Sequence, residues 1–88
     1  MPLNYDPKAF DDVAKKDVRF LVRKIEWLWT HRKEIHHLPL KDNLVGYYKR
    51  RLDPYRIIYS YKNDHDIMTV HLVGTRDEVY QEAQRRLA

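Results

Sequence analysis

The sequence predicts a small α+β domain, in which an N-terminal helical hairpin packs on a curved antiparallel β-sheet and a short C-terminal helix ends the chain. Three observations support this fold class. Apolar residues recur at helical spacing before position 31, they alternate with polar residues between positions 47 and 73, and Asp, Asn and Pro separate the alternating runs. A chain of 88 residues has the length of one domain, so we expect 1–88 to fold as a single unit.

The first residues predict a short strand and then a short helix. Leu3 and Tyr5 are two residues apart, so on a strand their side chains point the same way, which predicts a short edge strand. Asp6 and Pro7 predict a helix start, because an N-cap carboxylate precedes a proline at the first helical position. Phe10 begins the apolar stripe of this first helix.

A second helix is predicted after a short connection. Asp17 has the side chain of an N-cap, and apolar residues from Val18 onward recur at intervals of three and four until about His31. This spacing predicts a long amphipathic helix. Because so few residues separate the two helices, they are expected to form an antiparallel hairpin. The next stretch, 31–44, is polar, contains Pro39 and is predicted to be irregular.

Three strands follow, because the apolar period changes to two. They are predicted over 47–52, 55–61 and 67–73, joined by turns at Asp53-Pro54 and 62–66. Gly74 is predicted to end the third strand. A C-terminal helix over 77–87 completes the predicted fold, with acidic residues in its first turn and arginines in its last, as the helix dipole favours.

Alternation assigns the strand side chains to two faces of the sheet. Met68, Val70 and Leu72 are predicted to share one apolar face, which packs on both helices of the hairpin. The opposite face is predicted to be partly open, polar and basic, with Lys49 and Arg56 on it. That open face is where we expect the functional site.

The positive charge of the chain is concentrated in one segment. The formal net charge is +4 and the pI is about 9.4, and Lys49, Arg50, Arg51 and Arg56 fall within eight residues. Solvated charges on an exposed strand are the ordinary explanation of such residues, but their clustering favours an anionic partner. Counterion release and phosphate contacts both favour a nucleic-acid backbone. Composition and pattern alone therefore predict a small basic α+β domain that binds nucleic acid.

Several other classes of protein lack their characteristic residues here. The chain has no cysteine, which rules out disulfides and thiolate metal sites and fits a reducing cytosol. His36 and His37 have no third ligand at metal-binding spacing, so no metal site is predicted. There is no glycine-rich phosphate loop, no nucleophile constellation, and no apolar run long enough to span a membrane.

Three motifs, in a fixed order, resemble a known family. They are Leu44-x-Gly46-Tyr47-Tyr48-Lys49-Arg50-Arg51-Leu52, Tyr55-Arg56-Ile57-Ile58-Tyr59 and Val73-Gly74-x-Arg76-x-x-x-Tyr80. Their order and spacing are similar to those of RelE-type toxins, in the RelE/ParE superfamily of type II toxin–antitoxin systems. The helices predicted before and after the sheet are similar as well, so the likeness covers nearly the whole chain.

The resemblance implies a cytoplasmic endoribonuclease that enters the ribosomal A site and cleaves the mRNA codon there. The RNA 2′-hydroxyl would attack its own 3′ phosphate without a metal or other cofactor, because guanidinium groups stabilise the phosphorane charge. A cognate antitoxin would wrap and silence the toxin in a hetero-oligomeric complex. The main alternative is a ParE-type toxin, which shares the fold but acts on DNA gyrase. A third is a relic that only binds antitoxin.

The resemblance also implies a role for each of five residues. Lys49 would contact the reacting phosphate, and Arg51 takes the place of the second lysine on the same strand of the family. Arg56 would clamp the phosphate, and Arg76 would lie near the leaving oxygen. Tyr80 would stack on the target base. These five are the implied catalytic residues.

The arginine at position 51 leaves the choice of general base open. A lysine can accept a proton once its charge is disfavoured, whereas an arginine essentially cannot lose one. Lys49 is the first choice, because the neighbouring arginines disfavour its charged form. His71, predicted on the same sheet face, is the alternative, since histidine ordinarily titrates near ~6.5. Arg50, together with Lys49 and Arg56, is also expected to bind the RNA or the ribosome.

Overall fold

The computed structural model describes residues 2–88, which form a five-stranded mixed β-sheet with one helix on each face. Its elements are β1 Leu3–Tyr5, α1 Lys15–Thr30, β2 Leu38–Pro39, β3 Tyr48–Leu52, β4 Tyr55–Lys62, β5 Ile67–Thr75 and α2 Arg76–Leu87, with a 3₁₀ turn at Asp42–Leu44. The strands lie in the order β1-β5-β4-β3-β2. The predicted α+β class is confirmed. Of the helices in the described part of the chain, none is long and apolar enough to cross a membrane.

The antiparallel meander forms as predicted, but the sheet as a whole is mixed. β3 pairs with β4 from Tyr48 opposite Tyr59 to Leu52 opposite Tyr55, and β4 pairs in turn with β5. β1 is an edge strand, as expected, yet it runs parallel to β5, so the prediction of an antiparallel sheet throughout is wrong. A period of two is common to parallel and antiparallel strands, which is why it does not reveal the direction of β1.

A second edge strand lies in the stretch predicted to be irregular. β2 pairs antiparallel with β3, with Leu38 opposite Lys49 and Pro39 opposite Tyr48. A proline cannot donate a backbone hydrogen bond, so strands tolerate it at a sheet edge, where β2 lies. Two residues are too few to show alternation, and for this reason the sequence does not predict the strand.

The first helix of the predicted hairpin does not form. Residues 7–12 are consecutive turns that lead into α1. The Asp6 carboxylate accepts a hydrogen bond from the Lys8 N–H at 2.8 Å, as an N-cap would, but the backbone hydrogen bonds that follow are those of turns, such as Ala9 N–H to the Asp6 carbonyl and Val13 N–H to the Phe10 carbonyl. Ala9 is nevertheless buried, and its carbonyl accepts a hydrogen bond from the Val73 N–H at 3.0 Å. The apolar stripe of this segment therefore marks turns packed along β5.

The long helix begins earlier than predicted. α1 starts at Lys15, and Asp17 lies in its first turn and not at its N-cap. The Asp17 carboxylate accepts a 2.6 Å hydrogen bond from the Tyr55 hydroxyl, which ties the helix to β4. This hydrogen bond raises the pKa of Tyr55, because ionisation would set two negative groups against each other.

Both faces of the sheet are covered, which corrects the predicted packing of two helices on one face. The α1 side contains the fully buried Leu21, Ile25, Leu28, Ile57, Tyr59, Met68 and Val70. On the other side, α2 places Val79 and Ala83, four residues apart, against Ile58 and Leu72. The predicted C-terminal helix therefore exists, and it covers part of the face that the sequence predicts to be open.

A β-bulge interrupts the alternation that the sequence predicts for the third strand. Ile58 lies opposite Leu72, whereas the next residue, Tyr59, lies opposite Val70, so His71 is an extra residue on β5. The bulge turns Leu72 toward α2. The prediction that Leu72 shares a face with Val70 is therefore wrong, because it assumed an uninterrupted period of two.

Gly74 lies within β5 and does not end it, since the strand continues to Thr75. A Cβ atom built on Gly74 would lie 3.4 Å from the Cβ of Val79. The missing side chain therefore permits the close approach of α2 to the strand.

Arg32, just beyond α1, connects that end of the helix to the turn between β4 and β5. Its Nε and Nη2 donate to the two carboxylate oxygens of Asp66 at 2.7 and 2.8 Å. The Tyr61 hydroxyl donates to the same carboxylate at 2.8 Å, and the Arg32 guanidinium lies 3.6 Å from the ring centre of Trp29. The hydrogen bonds from Arg32 and then Tyr61 lower the pKa of Asp66.

We predict that Asp66→Asn removes an acid-sensitive part of the stability. The φ angle of Asp66 is 53°, a region that Asn tolerates, so the substitution tests the charge. Because the folded pKa is depressed, the carboxylate stabilises the fold above its unfolded pKa of about 3.9, and the contribution is lost as pH falls through the folded value.

Urea unfolding should show a stability gap between wild type and Asp66→Asn at pH 7 that begins to narrow below about pH 4. Asp64→Asn, in the same turn, is the matched control and should leave the pH dependence unchanged. A gap that is constant over the acid range would contradict the assignment of this stability to the Asp66 charge.

Candidate nucleic-acid interface

A cleft of about 220 Å³ lies between the β3–β4 hairpin and α2. Six side chains line it: Leu38, Lys49, Arg50, Arg51, Arg56 and Tyr80. All of them except Leu38 are site residues predicted from the sequence. Four of the six are cations, so the cleft has the charge that an anionic ligand requires.

Lys49 and Tyr80 meet across the cleft. Alternation on β3 directs Lys49 toward α2, and its Nζ lies 5.9 Å from the centre of the Tyr80 ring, a cation–π distance. Tyr80 lies on the second turn of α2 and is partly buried against the apolar cluster beneath that helix. The packing of α2 therefore fixes where the aromatic ring stands relative to the lysine.

Arg56 is held in place by its surroundings. Its side chain is 14% exposed, and its Nη1 donates to the Tyr55 carbonyl at 3.2 Å and to Asp53 Oδ1 at 3.3 Å. A guanidinium fixed in this way has a defined direction before a ligand arrives, which favours electrostatic stabilisation of a charged ligand.

Arg51 is bound by the same carboxylate but is far more exposed. Its side chain is 70% exposed, and its Nε lies 2.9 and 3.1 Å from the two Asp53 oxygens. The hydrogen bond from Arg51 lowers the pKa of Asp53, and the charge of Arg56 adds to this effect. The sequence predicts Asp53 only as a turn residue. The signal it contained is an arginine two residues before and another three residues after this aspartate.

Arg76, a predicted site residue, is not one of the side chains that line the cleft. It is the first residue of α2 and is exposed. Tyr80 follows four residues later, so the two side chains lie on the same side of the helix, one turn apart. Arg76 can therefore reach a ligand that extends beyond the cleft toward the start of α2.

His71 belongs to a separate cluster. Its Nε2 lies 2.9 Å from the Ser60 hydroxyl oxygen, and its ring meets the Tyr47 ring edge to face at 5.2 Å between centroids. Burial lowers the pKa of His71, which favours its neutral form. β4 separates its strand from that of Lys49, so the two backbones are about 10 Å apart. The structure does not bring His71 to the cleft.

A larger groove of about 690 Å³ lies on the α1 side of β3. It is lined by Phe20, Arg23, Lys24, Trp27, Arg50, Arg51 and Leu52. Arg50 and Arg51 line both the groove and the cleft, so the positive surface continues around the hairpin. The sequence predicts no role for the exposed Phe20 and Trp27, although both fall off the apolar stripe of α1.

His37, in the loop after α1, is hydrogen-bonded to the core residue Tyr59 and to the backbone of Arg32. Its Nδ1 lies 2.5 Å from the Tyr59 hydroxyl and its Nε2 lies 2.8 Å from the Arg32 carbonyl. A carbonyl only accepts hydrogen bonds, so we assign the proton to Nε2, and Tyr59 then donates to Nδ1. Over residues 2–88, no three histidine or acidic side chains are grouped so that they could hold a metal ion.

The chain is similar in fold to several proteins of known structure. No protein-family model and no curated protein matches the chain. The isolated E. coli RelE toxin is 25% identical, with 98% of this chain and 97% of that chain covered and a TM-score of 0.62. The RelBE2 toxin–antitoxin complex of Mycobacterium tuberculosis is 23% identical, with 84% and 95% covered and a TM-score of 0.64. A YoeB/ParE toxin from Agrobacterium tumefaciens is 21% identical, with 86% and 99% covered and a TM-score of 0.62.

These neighbours define a class of protein, the small α+β toxins of toxin–antitoxin systems. Within this class the chain has the fold of the RelE-type toxins of the RelE/ParE superfamily, which confirms the resemblance seen in its sequence motifs. Because RelE and YoeB/ParE toxins both occur among the neighbours, the choice between activities depends on the side chains of the cleft.

Proposed function

We propose that this protein is the toxin of a type II toxin–antitoxin system and acts as a ribosome-dependent endoribonuclease that cleaves mRNA in the A site. One observation carries the proposal: Lys49, Arg51, Arg56 and Tyr80 line a single cleft, although they come from two strands and a helix. Fixed positive charges next to an aromatic ring are suited to a phosphodiester with an adjacent base. The RelE-like fold supports the same proposal.

In the proposed reaction, the RNA 2′-hydroxyl gives up its proton and attacks the adjacent 3′ phosphate. The bond from phosphorus to the 5′ oxygen of the next nucleotide breaks, which leaves a 2′,3′-cyclic phosphate. That 5′ oxygen gains a proton and becomes a hydroxyl group. Arg51 and Arg56 would stabilise the charge on the phosphorane, and Arg76 would approach the leaving oxygen. Tyr80 would stack on the base and hold the phosphate in line for attack.

Lys49 is the proposed general base. It lines the cleft together with three arginines, and unlike them it can give up its proton. His71, the alternative base, is hydrogen-bonded to Ser60 outside the cleft, so the geometry supports Lys49. Neither Arg51 nor Arg56 can take the proton, because a guanidinium stays charged in proteins.

The second candidate function is that of a ParE-like toxin, which inhibits DNA gyrase without cutting RNA. The likeness to a YoeB/ParE toxin favours it as strongly as it favours a nuclease. An inhibitor that acts only by binding does not require a lysine, two arginines and a tyrosine to converge on one cleft. The meeting of these four side chains in one cleft is therefore the reason for preferring the nuclease function over the ParE-like one.

Toeprinting of ribosomes that translate a defined message tests the proposal directly. We expect the protein to cut the mRNA within the A-site codon and to leave naked mRNA intact. Intact message on the ribosome, together with trapped gyrase–DNA complexes, would replace the nuclease with the ParE-like function. Intact message and unaffected gyrase would leave only an antitoxin-binding relic.

We predict that the cleft residues differ in how their loss affects cleavage. Arg56→Ala and Arg76→Ala should each lower the single-turnover rate on ribosomes by about 10²–10³, because each removes a fixed charge from the phosphate. Tyr80→Ala should lose stacking of about 1–3 kcal/mol, whereas Tyr80→Phe should keep most of the activity. Arg19→Ala, an exposed cation on α1, is the control. Equal losses for Arg19→Ala and Arg56→Ala would show that only net charge matters.

A second pair of variants tests the choice of general base. Lys49→Ala should abolish cleavage and His71→Ala should cleave at close to the wild-type rate, since only Lys49 lines the cleft. Single-turnover cleavage of ribosome-bound mRNA measures both rates. An active Lys49→Ala protein beside an inactive but folded His71→Ala protein would transfer the role to His71.

We propose that a cognate antitoxin silences the toxin and forms a hetero-oligomeric complex with it. Toxin–antitoxin complexes occur among the structural neighbours, including a RelE mutant bound to a peptide of the RelB antitoxin. A basic cleft suits an acidic segment that folds on binding. We expect it to cover Lys49, Arg56 and Arg76 or to shift α2.

Hydrogen exchange of the toxin, alone and in the complex, measures this effect. Either protection around β3 and β4 or increased exchange across α2 is the expected result. Exchange that is unchanged in both regions would mean that the antitoxin acts by keeping the toxin out of the ribosome.

A further inference from the structure

Asp53 places a negative charge beside the cleft, and the proposed reaction does not use it. The residue lies in the turn between β3 and β4. Its Oδ1 is 2.9 Å from Arg51 Nε and 3.3 Å from Arg56 Nη1, and its Oδ2 is 3.1 Å from Arg51 Nε. One carboxylate therefore binds two of the arginines to which the proposed function gives the phosphate.

The carboxylate occupies one donor of each arginine, Arg51 Nε and Arg56 Nη1, which a phosphate oxygen bound between the two side chains would need. Guanidinium groups bind carboxylates and phosphates through the same N–H donors and with similar geometry. Arg51 Nε and Arg56 Nη1 both lie within hydrogen-bonding distance of the single oxygen Oδ1. An anionic ligand that takes both donors must displace that oxygen.

We propose that Asp53 is an internal competitor for the phosphate, which aligns Arg51 and Arg56 in the free protein and leaves them when an RNA phosphate binds. It is a positioning residue, because it acts through the arginines and does not touch the substrate. The proposal rests on the proposed function for the identity of the ligand. Its structural part, an oxyanion site occupied by a carboxylate, stands on the geometry alone.

The exposure of the pair makes such an exchange feasible. The side chains of Asp53 and Arg51 are 63% and 70% exposed, and ion pairs of this kind contribute little to stability. A well-placed phosphate therefore displaces Asp53 easily, whereas a loosely bound anion gains little from competing with it. The carboxylate would thus favour RNA that the ribosome holds in position over free anions.

Phosphate titration of matched variants tests the structural part. Asp53→Asn keeps the size of the side chain and removes its charge, and Asp64→Asn makes the same charge change in the other hairpin turn. The probe is inorganic phosphate at pH 7, followed by NMR of the arginine Nε–H groups. We expect Asp53→Asn to bind phosphate at Arg51 and Arg56 about two- to fivefold more tightly, the range open to an exposed ion pair, with Asp64→Asn unchanged.

Two results would overturn the proposal. One is an equal phosphate affinity for Asp53→Asn and Asp64→Asn. The other is the absence of phosphate-induced shifts at Arg51 and Arg56 in both variants. Thermal unfolding checks that each variant is folded. If Asp53→Asn does not fold, Asp53→Glu keeps the charge and displaces it by one methylene, and it should change the Arg51 Nε–H signal without tightening phosphate binding.

Cleavage on ribosomes supplies a readout that a purely structural role would not change in the same way. Asp53→Asn should lower KM, because the competitor is gone, and leave kcat close to the wild-type value, because Asp53 has already left both arginines in the RNA-bound complex. A fall in kcat with an unchanged KM would assign Asp53 to the turn alone. A wild-type protein that does not cleave mRNA would contradict the proposed function, and the phosphate titration would still decide the role of Asp53.

Discussion

The burial of β4 on both of its faces is the constraint on which the rest of the structure depends. Ile57, Ile58 and Tyr59 are consecutive and all fully buried, which a strand achieves only when both faces of its sheet are covered. α1 covers the face of Ile57 and Tyr59, and α2 covers the face of Ile58. Because α2 must pack on that second face, its Tyr80 comes next to Lys49. The cleft is a consequence of how the core is closed.

The bulge opposite Ile58 and Tyr59 makes this double coverage possible. It adds His71 to β5 and turns Leu72 toward α2, so an apolar side chain from each of two strands meets the helix. Gly74, further along the same strand, lets α2 approach closely. The same bulge leaves His71 beside Ser60, on a part of the sheet away from the basic cleft. Local backbone geometry thus separates the two candidate bases.

The sequence predicts those features that depend on neighbouring residues along one element. Alternation identified the three meander strands, and the clustering of Lys49, Arg51 and Arg56 identified the side chains that line the cleft. The errors concern features decided by distant contacts. The direction of β1 and the existence of β2 depend on the strands beside them, and the turns after Asp6 pack along β5, where the Ala9 carbonyl accepts a hydrogen bond from the Val73 N–H.

Asp53 explains how an arginine at position 51 fits a site in which the resemblance implies a lysine. A lysine would present a compact charge that could also give up a proton, whereas Arg51 stays charged and places its Nε within hydrogen-bonding distance of both Asp53 oxygens. The arginine thus gives up acid–base chemistry and gains a hydrogen bond to the turn between β3 and β4. In the proposed function, proton transfer would then be left to Lys49, and Arg51 and Arg56 would supply the positive charge. Arg56 in particular is held in one direction in the free protein, and in the proposed function this preorganised charge would stabilise the phosphate without a rearrangement at the moment of reaction.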